Sequence, residues 1–301
     1  MSWLETYRGT VYRWEVDNVD HFTVAYYFER FEDATLALLH ALGLDPEALA
    51  ETGEACAMLD SHVRYLRELR MGDILHIRSG VIDTAGDALM IGHQVFDSAD
   101  GALCTSVAQR MGLMQARSRT PVRLPAASLE AAESYRVDWE PRPVPVPAPP
   151  RHADADRFLE TTRDTIKPRE VDVLGQAALA AYIHRFSAAN GHMLAGFGMS
   201  PAYMRSEERG LSTFEFKLRV PGALRAGDLV RVRSALSHVG ASSLRLLHRM
   251  TNVRTDEEVA TLEQSGVHLD TRARRSCPLP DSMRERAMAR LLVPDADTKR
   301  S

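Results

Sequence analysis

The residues best suited to chemistry are two aspartates, each of which precedes a helix-like stretch. Asp17 stands four residues before His21, and Asp172 stands at the corresponding place in the second half of the chain. A carboxylate can act as a general base or attack an electrophile directly, and the start of a helix presents N–H groups that stabilise a negative oxygen. Asp also occurs at helix starts simply as a cap. Asp17 is therefore a candidate both for catalysis and for capping.

The two aspartates are equivalent because the chain contains its own sequence twice. A shift of 155 positions, the separation of Asp17 from Asp172, superimposes many residues of identical type without a gap. The matches include Tyr27 on Tyr182, Arg30 on Arg185, Phe31 on Phe186, Gly72 on Gly227, His93 on His248 and Gln109 on Gln264. A repeat this long indicates a duplicated domain rather than a solenoid unit.

The repeat divides the chain of 301 residues into four predicted segments. These are an N-terminal domain (1–140), a proline-rich linker (141–155), a C-terminal domain (156–280), and a C-terminal helix and tail (281–301). Six of the ten residues in 141–150 are proline, which excludes a helix or a sheet centre. This segment is either a polyproline strap, roughly 30 Å long at about 3.1 Å per residue, or a disordered spacer.

The composition is that of an ordinary globular protein. Hydrophobic residues make up 45% of the chain, and the net charge of −4 lacks the basic character of a nucleic-acid binder. Cys56, Cys104 and Cys277 are odd in number and far apart, which favours reduced thiols over disulfides or a zinc site. The first residues show no signal-peptide pattern, and no apolar run has the length of a membrane span. We therefore expect a cytoplasmic protein with no membrane or nucleic-acid partner.

Each copy is predicted to contain one strand, one long helix and then a meander of four strands. Apolar residues at helical spacing and turn residues between alternating runs define these elements. In the first copy they are a strand at 8–16, a helix at about 25–43 and strands near 57–69, 73–84, 87–97 and 102–113. In the second copy they are a helix at about 179–197 and strands near 211–220, 228–238, 242–252 and 258–270. Such a sheet must bury its apolar face, and the helix is the element available to cover it.

The residues around Asp17 resemble the hotdog-fold thioesterases, which include the 4-hydroxybenzoyl-CoA thioesterase-like group and the acyl-ACP thioesterases. Their pattern Asp-x-x-Gly-His-x-Asn-x-x-x-Tyr is similar to residues 17–27 and, in the second copy, to residues 172–182. The helix continues the resemblance as Tyr-x-x-x-x-Glu-x-Ala, from Tyr27 to Ala34. The resemblance covers nearly all of both copies. It implies an α+β fold of two hotdog domains, each a long central helix wrapped by an antiparallel sheet, forming a fused pseudo-dimer.

The two copies depart from the family pattern at different positions. In the first copy, Asp20 and Thr23 stand where the family usually has Gly and Asn. The second copy keeps the glycine but has Gln176 and Ala178 in place of His and Asn. This pattern suggests that one of two clefts has decayed, and we expect the working cleft to be the one around Asp17.

The resemblance implies an acyl-CoA thioesterase, which hydrolyses an acyl thioester to the free acid and CoA. Asp17 would act as general base or nucleophile, His21 would orient water or stabilise the thiolate, and amides at the helix start would bind the oxyanion. Asp172 is a further catalytic candidate. No cofactor or metal is expected, and His93 and His248 are expected to be structural, for example by bonding across the domain seam. The substrate-binding candidates are Thr23, Tyr27 and His62, although Tyr27 equally fits a core position.

The expected partner is a small-molecule acyl-CoA or acyl-ACP, and double hotdogs could associate further as homo-oligomers. The aromatic-rich first motif could suit a cationic, betainyl-type acyl group through cation–π contacts. Two alternatives remain open. One is another hotdog acyl-thioester enzyme, a hydratase, dehydratase or acyltransferase, although the hydratase motif has Asp and His five apart with Asn-Pro between. The other is a non-catalytic acyl-CoA-binding sensor.

Overall fold

The computed structural model describes residues 2–17, 19–84, 88–149, 155–172 and 174–292, which belong to two compact units. Unit 1 runs to Val146 and also takes in Pro168–Ala181, whereas unit 2 comprises Pro147–Lys167 and the chain from Tyr182 onward. Among the residues described, none of the helices has the length and apolar character needed to span a bilayer.

Unit 1 contains an antiparallel sheet and one long helix. Its strands are β1 (Leu4–Thr10), β2 (Glu54–Tyr65), β3 (Ile74–Asp83), β4 (Ala88–Asp97), β5 (Leu103–Gln115) and β6 (Pro121–Val122). Its helices are α1 (Val24–Ala41), α2 (Pro46–Glu51) and α3 (Ala126–Ser134). The strands lie in the order β1-β3-β4-β5-β2, and β6 pairs with β5.

Unit 2 repeats this topology. Its strands are β7 (Leu159–Thr165), β8 (Arg209–Arg219), β9 (Leu229–Val239), β10 (Ser243–Asn252), β11 (Glu258–Asp270) and β12 (Arg275–Ser276). The helices are α4 (Leu179–Ala195), whose first three residues belong to unit 1, α5 (Pro201–Ser206) and α6 (Asp281–Met288). The order β7-β9-β10-β11-β8, with β12 on β11, matches that of unit 1 strand for strand. The duplication predicted from the sequence is therefore a duplication of the fold.

Helix α1 forms because its apolar residues recur at helical spacing and cover the sheet. Its buried face carries Phe28, Phe31, Ala34 and Leu38, and the buried residues of the sheet include Ile77, Ile91 and Val107. Each large side chain buried in this way contributes about 1.5–3 kcal/mol. The helix is followed by Gly43 at φ 71°, a left-handed conformation that glycine adopts without strain.

The predicted meander is wrong at its first step. β2 pairs with β5 and not with β3, so only β3, β4 and β5 follow one another as a meander. Alternation of apolar residues fixes which face a strand buries, but it does not identify the neighbouring strand. The first strand was also predicted too late in the chain, because residues 13–15 form a 3-10 turn after β1 has ended at Thr10.

The segment after α3 packs on the face of the unit 1 sheet opposite α1. Gly92 of β4 makes room for it, since a Cβ there would lie 2.5 Å from the Trp139 ring. Further along, Arg142 is paired with Asp83 of β3 at 2.6 Å. Residues 141–149 form neither helix nor strand. These contacts favour the strap over the spacer for the first half of the proline-rich segment.

Candidate active site

Asp17 and Asp172 occupy the same kind of loop, immediately before the long helix of their copy. In each case Oδ1 accepts hydrogen bonds from the backbone N–H groups two and four residues later. The distances are 2.9 and 3.0 Å for Asp17, and 2.9 Å twice for Asp172. Each aspartate therefore holds a tight turn. This role is common to both copies and does not mark either residue as the catalyst.

His21 is engaged by a carboxylate from the loop after β2. Its Nε2 lies 2.6 Å from Oε2 of Glu68, and Glu68 is also paired with Arg70. The imidazole is mostly buried. The contact with Glu68 fixes the orientation of the His21 ring beside the Asp17 turn. Orientation of water or stabilisation of the thiolate by His21 remains a prediction.

The three predicted substrate-binding residues lie in different surroundings. Thr23 is the residue before α1, and its N–H donates to the carbonyl of Glu15 at 2.8 Å. Tyr27 is 3% exposed, its ring packs edge-on against Tyr65, and burial raises the pKa of its phenol. His62 is half-buried on β2. Tyr27 thus packs as a core residue, the alternative that the sequence left open, while substrate binding by Thr23 and His62 remains a prediction.

A different carboxylate meets the start of α4. Glu32 lies in the middle of α1, is partly buried, and accepts the N–H of Leu179 at 2.7 Å; the N–H of Ala180 also donates to it. These are the first residues of α4, whose N–H groups have no acceptor within their own helix. Burial raises the pKa of Glu32 to about 7, against the lowering effect of the two N–H groups.

This arrangement combines the two groups that acyl transfer needs. A carboxyl group with a pKa near neutrality is a general base matched to neutral pH. Two N–H groups at a helix start can stabilise an oxyanion, because they lie at the positive end of the helix dipole and have no acceptor within their own helix; here both donate to Glu32. Glu32, Leu179 and Ala180 all belong to unit 1.

Glu32 is the glutamate of the Tyr-x-x-x-x-Glu-x-Ala pattern, yet that pattern alone assigns it no role. The usable signal is its placement: Glu32 follows the buried Phe31 and lies three residues before the buried Thr35, on the side of the helix that faces the core. The repeat places Ser187 at the corresponding position of α4. The hydroxyl of Ser187 is buried and has no hydrogen-bond partner among the described residues. Only the first copy therefore carries a carboxylate at this position.

The buried histidines form similar polar networks in the two copies. Ser79 Oγ lies 2.6 Å from Nδ1 of His93, whose Nε2 lies 3.1 Å from Oγ1 of Thr35. In the second copy, Ser234 Oγ lies 2.7 Å from Nδ1 of His248. Burial lowers the pKa of His93 to about 4 and that of His248 to about 3, so both are neutral at pH 7. The predicted structural role is confirmed, but these contacts lie within each copy and not across a seam.

The family model of the thioesterase-like superfamily matches residues 11–147 and 166–287, once in each copy. The chain belongs to the thioesterase-like superfamily. A curated relative is the L-carnitine dehydrogenase/betainyl-CoA thioesterase of Rhizobium meliloti (strain 1021), which is 27% identical over 111 residues. The match covers 37% of this chain and 22% of the relative, so the chain spans about a fifth of that protein's length.

Two solved structures match most of the chain. A Lactobacillus plantarum protein provisionally named an oleoyl thioesterase has a TM-score of 0.69 at 15% identity, covering 92% of this chain and 97% of its own. The 12:0-ACP thioesterase of Umbellularia californica has a TM-score of 0.67 at 14% identity, covering 87% and 93%. At such identities the likeness establishes the fold, which is two hotdog domains in tandem.

Proposed function

We propose that the protein hydrolyses an acyl thioester at the site formed by Glu32 and the first N–H groups of α4. The observation that carries this proposal is the position of a carboxylate of raised pKa directly at a helix start. For a carboxylate that served only as a helix cap, a low pKa would be favourable, because an ionised carboxylate accepts stronger hydrogen bonds than a neutral carboxyl group. The raised pKa instead suits a group that takes up and releases a proton.

The reaction can be written with these groups and one water. When a thioester binds, the N–H groups of Leu179 and Ala180 exchange their hydrogen bonds to Glu32 for bonds to the carbonyl oxygen. The released Glu32 carboxylate removes a proton from water, which adds to the carbonyl carbon. The tetrahedral oxyanion collapses, the C–S bond breaks, and the proton on Glu32 passes to the thiolate. The products are the acid and the thiol, and Glu32 returns to its ionised form. The steps use no redox group or metal, so we expect dialysis against a chelator to leave the rate unchanged.

Asp172 and Asp17 take different places in this scheme. Asp172 holds the turn that leads into α4, so it is a positioning residue for the N–H groups that receive the oxyanion. Asp17 holds the turn that leads into α1, where the predicted His21 site lies. Asp17 is the alternative base, and substitution of each carboxylate in turn distinguishes the two sites.

We further propose CoA as the thiol carrier and a cationic, betainyl-type acyl group as one candidate substrate, because the relative from Rhizobium meliloti is named a betainyl-CoA thioesterase. This candidate predicts a lower KM for betainyl-CoA than for butyryl-CoA, which has an acyl chain of similar length without the charge. Equal KM values would remove it.

The test is thiol release from a panel of acyl-CoAs with short, long, aromatic, hydroxylated and cationic acyl groups. We expect one class to be hydrolysed well above the uncatalysed rate. The same panel attached to ACP separates the two carriers. No thiol release from either carrier by the folded protein would refute the proposed function.

A further inference from the structure

Two aromatic rings are stacked on the surface of unit 1 just before the Asp17 turn. Tyr12 and Trp14 lie with their ring centroids 4.6 Å apart and their planes within 4° of parallel. Tyr12 is 46% exposed and Trp14 is 68% exposed. One face of the Trp14 ring is covered by Tyr12, so this exposure requires the opposite face to be open to solvent.

The backbone beneath the rings is held firmly. The N–H of Tyr12 donates to the carboxylate of Glu15 at 2.9 Å, and Glu15 is buried and paired with Arg30 of α1. The carbonyl of Glu15 in turn accepts the N–H of Thr23, the residue before α1. The ring pair is therefore anchored to the start of α1. Because the rings are already ordered, they lose less conformational entropy when a ligand binds.

The second copy shows that the fold does not require these rings. The repeat aligns Glu15 with Glu170 and Arg30 with Arg185, so the anchoring residues are present twice. Tyr12 and Trp14, however, align with Lys167 and Arg169. The same position thus tolerates charged side chains, and large exposed rings in one copy alone mark a surface that contacts something.

We infer that the Tyr12–Trp14 pair stacks the adenine ring of a CoA thioester, an inference that rests on the proposed function. A nucleobase has a flat π-face that can continue a parallel stack of rings. Stacking of a nucleobase on an aromatic side chain is a strong interaction. Arg13, which is exposed and lies between the two rings in the sequence, supplies a guanidinium for the phosphates of the nucleotide.

The geometry of the ring pair favours a planar nucleobase over a quaternary ammonium group as its ligand. Cation recognition gains most where several ring faces surround the charge and exclude water. Here the two rings are parallel and already in contact, so each ring offers a ligand one outer face, and the outer face of Trp14 is open. A flat ligand can cover such a face completely, whereas a spherical cation would stay largely hydrated.

The experiment compares the same acyl group on CoA and on N-acetylcysteamine, which lacks the nucleotide. Trp14→Ala should raise KM for the acyl-CoA about tenfold, with kcat unchanged, because stacking contributes a factor of this order. Hydrolysis of the acyl-N-acetylcysteamine should not change. Trp14→Phe should restore most of the affinity, and Phe214→Ala, which removes an exposed ring from unit 2, should behave as the wild type.

A binding measurement with 3′,5′-ADP, the nucleotide part of CoA, separates this inference from the proposed function. Binding that is weakened about tenfold by Trp14→Ala supports the inference even if the protein hydrolyses no thioester. Equal KM values of wild type and Trp14→Ala for acyl-CoA, or an equal loss on both substrates, would overturn it. It would also be overturned if tetramethylammonium, and not 3′,5′-ADP, changed the fluorescence of Trp14.

Discussion

Asp20 and Gly175 hold the same left-handed backbone conformation at equivalent positions of the two copies, with φ angles of 62° and 72°. The next residue in each copy donates its N–H to the aspartate that holds the turn. The turn therefore requires a positive φ at this position, which glycine adopts without strain and which a residue with a Cβ resists. This requirement explains why the hotdog thioesterase pattern usually has Gly at this position. It also means that Asp20 holds a strained backbone conformation, which lowers the stability of the first copy.

Substitutions at Asp20 should follow backbone strain and not side-chain charge. Asp20→Gly should change the free energy of unfolding by less than about 0.5 kcal/mol, since relief of strain is offset by the greater freedom of glycine in the unfolded chain. Asp20→Val should destabilise unit 1 by about 1–3 kcal/mol, because a β-branched residue is an outlier at positive φ. Urea denaturation measures both. Equal stabilities of the Gly and Val variants would contradict this account.

Conservative replacement of three carboxylates should locate the base. Glu32→Gln should lower kcat by about 10²–10⁴-fold, the usual contribution of a general base. Asp17→Asn keeps the Oδ1 acceptor of its turn and should cost less than about tenfold, as should the matched Asp172→Asn. Circular dichroism of each variant checks folding. A large loss with Asp17→Asn and none with Glu32→Gln would transfer the site to the start of α1.

The pH dependence of catalysis and of stability should both reflect the raised pKa of Glu32. Because the base must be ionised, kcat/KM should rise with pH and level off above about 7. The folded pKa lies above the ordinary value of 4.5, so stability is greatest below pH 4.5 and falls as pH rises towards 7. Glu32→Gln should therefore be more stable than the wild type at pH 8, by roughly 1–2 kcal/mol, and should lose that advantage at pH 4.5.

Thermal denaturation at the two pH values tests the stability effect independently of any substrate. If the hydrogen bonds from α4 outweighed burial, so that the pKa of Glu32 were not raised, Glu32→Gln should destabilise the protein at pH 8, because a charged acceptor is lost. The sign of the difference at pH 8 therefore tests the raised pKa on which the proposed base depends.

The sequence predicted the fold well and the site less well, for a physical reason. The bounds of α1 and β11 follow from local periodicity, which depends on neighbouring residues alone. The pairing of β2 with β5 and the meeting of Glu32 with Leu179 join positions that are far apart in the chain. No local pattern encodes such contacts. A carboxylate that meets a helix start 147 residues away can be recognised only when the fold brings both together.

Asp17 shows the converse difficulty. Its type and spacing matched a catalytic motif, and the same type and spacing also satisfy the turn before α1. The residue type is required by the turn in both copies, so its presence carries little information about chemistry. The copy-specific residues, Glu32 against Ser187 and Trp14 against Arg169, are more informative because the fold tolerates either choice.

The His93 network should make unit 1 sensitive to acid. The folded pKa of His93, about 4, lies below the ordinary 6.5, so its stabilising effect is full above pH 6.5 and is lost as pH falls towards 4. His93→Gln should cost about 1–3 kcal/mol at pH 7.5 through broken hydrogen bonds, and less at pH 5. His238→Gln, at an exposed position in unit 2, is the control. Urea denaturation at both pH values measures the effect, and a cost independent of pH would argue against it.

The packing of Trp139, in the segment after α3, should depend on the absence of a side chain at Gly92 of β4. A Cβ on Gly92 would lie 2.5 Å from the Trp139 ring and 3.0 Å from Ile82. Gly92→Ala should therefore displace Trp139 and destabilise unit 1 by about 1–3 kcal/mol, the usual cost of overpacking. The matched control is Gly191→Ala in α4, where a Cβ meets no other atom within 4 Å. There alanine should stabilise the helix by about 0.5–1 kcal/mol.

The double variant Gly92→Ala/Trp139→Ala tests whether the cost comes from this contact. Trp139→Ala alone loses packing on the sheet, but it also removes the ring that the new Cβ would meet. The two substitutions should therefore be less destabilising together than the sum of their separate effects, with a coupling of about 1 kcal/mol or more. Additive effects would mean that the backbone of β4, and not contact with the Trp139 ring, accounts for the cost of Gly92→Ala.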